Sequence, residues 1–115
     1  MADAMYSTPS SELAARCREL APGIQSTFDA FSQRVFAHGA LPPKTKQLIA
    51  VAVAQVTQCP YCIEGHTKAA LHHGATPQEL MEAAWVAAAM RAGGVYTQTA
   101  VWLAAMAEEQ SHHQT

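Results

Sequence analysis

Apolar residues recur along the chain at helical spacing. No stretch alternates apolar and polar residues over four or more positions between turn signals, which argues against strands. Leu13, Cys17 and Leu20 fall at i, i+4 and i+7 and predict a first helix, with Thr8 as its cap and Pro9 in its first position. On that stripe Cys17 reads as a buried core cysteine. A second helix is predicted after Pro22, with Ile24, Phe28, Phe31 and Val35 as its buried face and Gly39 as its C-terminal cap. A third is expected from about Pro43 to Thr57. Its Leu48–Val56 portion is apolar nearly all round, as in a central helix. Pro60 restarts the pattern, and a fourth helix runs to about His73 and stops at Gly74.

Thr76-Pro77-Gln78-Glu79 is a helix-start signal: Thr76 can cap the Glu79 amide, Glu79 can reach back, and Pro77 sits where no amide hydrogen is needed. The fifth helix is predicted from Pro77 to Arg91, which places Arg91 at a C-terminus, where a cation is favourable. Gly93-Gly94 then predicts a tight corner. Val95, Thr99, Trp102 and Met106 line one face of a sixth helix. Trp85, Tyr96 and Trp102 read as core or subunit contacts. The polar segment from Glu108 to Thr115 is expected to fray. The expected fold is all-α: one domain over residues 1–115, a bundle of about six helices.

Composition adds an assembly. Half of the 115 residues are hydrophobic and 14% are charged, where about 25% charged is ordinary. So little charge on a small chain predicts that part of its surface is buried against other copies. The net charge of −2, with no basic cluster beyond Lys44 and Lys46, argues against nucleic acid and against an anionic membrane surface. The N-terminus has no basic region followed by an apolar run, and no apolar run reaches the roughly 20 residues that cross a bilayer. Three cysteines are too few for a disulfide scaffold, so a reducing, cytoplasmic setting is expected. There a close pair is more often catalytic or metal-binding than structural.

That pair is Cys59-Pro60-Tyr61-Cys62. Pro60 favours a helix start, with Cys59 at the cap and Cys62 in the first turn. Unpaired amide hydrogens and the helix dipole stabilise a thiolate there. A thiol of pKa near 8.5 is about 3% ionised at pH 7, and one lowered to about 6.5 is roughly three-quarters ionised. His66 lies four residues after Cys62, on the same helix face, where it can take and return a proton. A dithiol beside a base can reduce a peroxide. One thiolate is oxidised to a sulfenic acid, the other condenses with it to a disulfide, and a dithiol donor restores the pair.

The run Lys46-Gln47-Leu48-Ile49-Ala50, followed by Cys59-Pro60-Tyr61-Cys62-Ile63-Glu64-Gly65-His66-Thr67, resembles the core of the AhpD-like alkylhydroperoxidases of the carboxymuconolactone decarboxylase superfamily. The resemblance continues through Gly74-Ala75-Thr76, Glu82-Ala83 and Met90-Arg91-Ala92-Gly93-Gly94. It spans roughly residues 41–106. It implies an all-helical subunit in a homo-oligomer, trimer or hexamer, with peroxidase or disulfide-reductase activity. It also implies that Cys62 attacks the peroxide, that Cys59 resolves and meets the reductant, a lipoyl or thioredoxin-like protein, and that His66 belongs to a proton relay. No cofactor and no metal are expected.

Two supporting positions depart from the family pattern. Gln47 stands where a glutamate is usual, and Tyr61 stands where some members have a histidine. In a hairpin of helices three and four, Gln47 lies roughly 15 Å down one arm and His66 roughly 10 Å down the other. Their side chains are expected to meet, directly or through water. Glutamine can orient His66 but cannot relay a proton by ionising. Base catalysis of this kind is worth about 10²–10⁴-fold, so peroxide turnover is expected to suffer more than dithiol–disulfide exchange.

Three other readings fit parts of the pattern. Cys-Pro-Tyr-Cys is also a glutaredoxin motif, but that fold needs a strand where this chain has the Ala-rich Leu48–Gln58. Cys59, Cys62 and His66 are zinc-type ligands lacking an evident fourth. His73 is too far along the helix, His72 and His73 diverge by about 100°, and His112 and His113 lie in the polar tail. A non-redox decarboxylase-type enzyme has no need of two thiols.

Overall fold

A computed structural model of the chain describes residues 11–113. The described residues form five helices and no strand: α1 (Ser11–Leu20), α2 (Pro22–Phe36), α3 (Pro43–Thr57), α4 (Pro60–His72) and α5 (Pro77–His113). The proposed Thr8 cap and Pro9 lie outside the described residues.

Helix α3 is the central element and packs on both α4 and α5. The buried apolar positions there are small: Val51 and Ala54 on α3, Ala70 on α4, Ala75 in the connection and Ala87 on α5. Small side chains let the backbones approach closely, so this core is thin. The turn from α3 to α4 is held by Gln58 in the left-handed region (φ 58°, ψ 50°) and by the Cys59 amide donating to the Ala54 carbonyl at 3.0 Å. Gly74, at φ 90°, ends α4 where the chain must turn and a side chain would be strained. The predicted capping box forms. The Glu79 amide donates to Thr76 Oγ1 (3.1 Å), and the Thr76 amide donates to Glu79 Oε1 (2.9 Å).

Several expectations are corrected. There is no corner at Gly93-Gly94: α5 runs on to His113, so the fifth and sixth predicted helices are one. Two glycines cost about 2 kcal/mol of helix propensity, but alanine-rich stretches on either side carry the helix through. The Thr97 hydroxyl donates back to the Gly94 carbonyl at 3.2 Å. Arg91 is therefore mid-helix, beside Gln55 and Val56 of α3. The polar segment beginning at Glu108 stays helical to His113. Helix α2 ends on Ala37 in an extended conformation, so Gly39 is not its cap.

The burial pattern of α1 and α2 is the largest correction. Cys17 is exposed, as are Leu13 and Leu20. The predicted buried face of α2 points outward, with Ile24 77%, Phe28 60% and Phe31 64% exposed. Its less exposed positions are Gln25, Asp29, Ser32 and Phe36. Trp85, Tyr96 and Trp102 are likewise exposed on the subunit and form no part of its core. Beyond Arg91, α5 overhangs: apart from Thr99, residues 91–113 are exposed. The chain is correspondingly extended, with a radius of gyration of 20.6 Å, where about 13 Å is usual for a compact chain of this length.

Candidate active site

The site grows from the restart at Pro60. Cys59 is the N-cap of α4, and its carbonyl accepts the first helical bond, from the Ile63 amide at 2.9 Å. Its Sγ accepts from the Cys62 amide at 3.3 Å, so the sulfur takes the place that a hydroxyl fills in an ordinary cap. Pro60 occupies the first turn, where its missing amide hydrogen costs nothing. Cys59 and Cys62 are joined as a disulfide, with their Cα atoms 5.3 Å apart. The helix start that favours a thiolate thus also brings the two sulfurs together.

His66 sits one turn beyond Cys62. Its Nδ1 lies 2.7 Å from Gln47 Oε1. The expected bridge between the two arms is therefore direct and needs no water. With the amide oxygen facing the ring, Nδ1 carries the hydrogen and donates, which leaves the Nε2 lone pair free for a proton. Gln47 is only 7% exposed. A buried amide that spends its oxygen on one histidine fixes that ring's orientation.

Two elements that the sequence reading did not assign to the site complete it. The Phe36 ring stacks on His66, with centroids 5.0 Å apart and planes at 26°. Lys46 Nζ donates to the carbonyls of Val35 (2.8 Å) and Ala37 (2.6 Å), which ties the end of α2 to α3. Neither contact has a local sequence signal, because each joins residues brought together only by tertiary packing.

Two clefts meet at Cys62, His66 and Phe36. One, of about 400 Å³, is apolar, walled by Val35, Ile49, Val53 and Ala54, with Lys46 at its edge. The other, of about 800 Å³, is more polar and is lined by Arg18, Asp29, Gln33, Gln47 and Tyr61. Arg18 and Asp29, both on its lining, lie 3.9 Å apart. Tyr61 is thus on the polar side of the site. Among the described residues, no group of three or more His, Cys, Asp or Glu side chains is placed to hold a metal ion. Nor is any described helix long and apolar enough to cross a membrane.

Related proteins carry this architecture. The profile of the carboxymuconolactone decarboxylase family matches residues 22–107, which extends beyond the motif-bearing segment to take in α2. The uncharacterised protein 4 of the cox locus of Paracoccus denitrificans is 59% identical over 85 residues, covering 74% of this chain and 77% of that protein. An uncharacterised protein of Cupriavidus necator is 39% identical over 61 residues, covering 53% of this chain and 54% of its own. A crystal structure from Methanobacterium thermoautotrophicum matches with a TM-score of 0.68 at 36% identity, over 72% of this chain and 93% of its own. The apo structure of a carboxymuconolactone decarboxylase family protein from Legionella pneumophila matches with a TM-score of 0.64 at 38% identity, over 66% and 68%. On the helical architecture, the cysteine pair at the start of α4 and the family match over residues 22–107, this chain belongs to the carboxymuconolactone decarboxylase family.

Proposed function

We propose that the chain is a thiol oxidoreductase that reduces organic hydroperoxides, or exchanges disulfides with dithiols, through Cys59 and Cys62. The observation that carries the reading is the bridged pair at the start of α4, with His66 on the next turn, held by Gln47 and facing an apolar cleft. In the reduced protein His66 Nε2 takes the Cys62 thiol proton. The Cys62 thiolate attacks the outer peroxide oxygen and the O–O bond breaks. Cys62 becomes a sulfenic acid, and the departing alkoxide takes the proton from His66 and leaves as the alcohol. The Cys59 thiol then condenses with the sulfenic acid, which forms the disulfide and releases water. A dithiol of the lipoyl or thioredoxin-like class reduces the bridge and is itself oxidised. The apolar lining favours an organic hydroperoxide over hydrogen peroxide, which gains nothing from apolar walls.

The working form in this proposal is a homo-oligomer. The outward apolar face of α2 and the overhanging half of α5 support it. So does the accessible surface of 9205 Å², where about 6100 Å² is usual for a 12.3 kDa monomer. An excess of roughly 3000 Å² is of the size that obligate interfaces cover.

Stopped-flow mixing of the reduced protein with cumene hydroperoxide, followed by thiol counting, tests the chemistry. Two thiols per chain are expected to disappear together. The Cys59→Ser variant is expected to stop at a sulfenic acid on Cys62. A reduced protein that consumes peroxide without forming the Cys59–Cys62 bridge overturns the proposal, as does one that consumes none and whose bridge no dithiol reduces.

A further inference from the structure

We infer that Lys46 is a positioning residue for His66, acting through the end of α2 and the ring of Phe36. The inference rests on the reading of Cys62 and His66 as the redox couple. Its geometry stands apart from any turnover.

Lys46 is anomalous where it sits. It lies near the N-terminus of α3, within a turn of Lys44, and the first turn of α3 contains no acidic residue. A cation near that end of a helix opposes the macrodipole. Each lysine has a remedy on another element. Lys44 pairs with Glu79 of α5 at 3.0 Å. Lys46 instead reaches the opposite kind of helix end. Its two hydrogen bonds go to Val35 and Ala37, at the C-terminus of α2, where carbonyls lack helical partners and the dipole favours a cation.

The residue between those two carbonyls is Phe36, whose ring stacks on His66. Helix α2 otherwise meets α3 at few positions, and it presents its large apolar residues outward. The lysine is therefore a principal tie that fixes where Phe36 stands. The neighbour of Lys46 on α3 is Gln47, which holds His66 from the other side. Two consecutive residues of one helix thus fix the same imidazole: Gln47 at its Nδ1 edge, and Lys46, through Phe36, at its face. Phe36, Cys62 and His66 are also the residues shared by the apolar and polar clefts. Moving the Phe36 ring would both tilt the base and open one cleft into the other.

The test uses the full-length chain with ¹³C-labelled histidine. A His66→Asn variant assigns the His66 ring signal. In the parent protein that signal is expected to lie upfield, shielded by the Phe36 face. Lys46→Met is expected to lose the upfield shift, and to lower kcat/KM for cumene hydroperoxide by about ten- to a hundredfold, as a misplaced catalytic group does. Lys46→Arg, which can still reach both carbonyls, is expected to restore both. Phe36→Leu is expected to match Lys46→Met, with no further loss in the double variant. If Lys46→Met does not fold, Lys46→Gln supplies the same comparison, with a partial loss expected from its shorter donor. A folded Lys46→Met or Lys46→Gln protein whose His66 signal stays in place overturns the inference, as does full additivity with Phe36→Leu. The ring signal is read without turnover. A signal that moves in a protein inert to peroxide would keep the clamp and remove the peroxidase reading.

Discussion

Gln47→Glu is the most direct probe of the site. The amide accepts one hydrogen bond from His66 Nδ1 at 2.7 Å. A carboxylate in its place makes the acceptor charged, and once Nε2 takes a proton the bond joins two opposite charges. Neutral hydrogen bonds contribute about 0.5–1.5 kcal/mol net and bonds to charged groups about 1.5–3 kcal/mol. The difference between the midpoints, about 1.25 kcal/mol, corresponds to roughly an eightfold tighter hold on the His66 proton. The full Coulomb attraction is larger, but Gln47 is 7% exposed, so burying a charge there takes back much of the gain. The variant is accordingly expected to be less stable at high pH, where His66 is neutral and the carboxylate stands buried without a counter-ion. Turnover with cumene hydroperoxide at pH 7 is expected to rise about tenfold, because a better base removes the Cys62 proton and the glutamate can pass it on. Steady-state peroxidase assays and an NMR titration of the His66 ring measure the two quantities side by side. An unchanged proton affinity in a folded variant would refute the contact. A raised affinity with unchanged or lower turnover would refute the relay.

Two further predictions follow from the surface. Glu79 is held below its ordinary value of 4.5, first by the hydrogen bond from Lys44 and then by the Thr76 amide. Its folded-state value is depressed, so its stabilising contribution is present above about pH 4.5 and is lost as the pH falls through that lower value. Thermal melts from pH 6 down to about pH 3 should show a shallower decline for Glu79→Gln than for the parent, and parallel curves would show that the pair contributes nothing to acid sensitivity. Phe28→Asp, on the outward face of α2 where Phe28 is 60% exposed, is expected to shift the chain to a smaller species in sedimentation velocity with its helical content kept. An unchanged sedimentation coefficient would remove α2 from the subunit interface.

Much of this protein is legible without its tertiary structure, because much of it is decided by neighbours in the chain. Pro43, Pro60 and Pro77 start helices for a local reason, the fixed φ and missing amide hydrogen of proline. The reciprocal bonds of Thr76 and Glu79 are likewise local. So is the register of Cys59, Cys62 and His66, since helical geometry alone puts i and i+4 on one face. Gln47 and His66 could be paired because the hairpin of α3 and α4 leaves few other arrangements.

What failed in the sequence reading depended on what each surface faces. A stripe of Ile24, Phe28, Phe31 and Val35 marks a face that will be buried, but periodicity cannot say whether the covering surface belongs to the same subunit. Here Ile24, Phe28 and Phe31 point outward, and the same ambiguity misplaced Cys17. Gly93-Gly94 permits a corner without requiring one, and helix on both sides decided the matter. Lys46 at the wrong end of its own helix, and Phe36 at the last turn of α2, have no local meaning. They acquire one only when the end of α2 is brought beside α3 and over His66. The chemistry-bearing pair at the start of α4 was written in the chain, whereas the position of the histidine beside it was decided by contacts that span three helices.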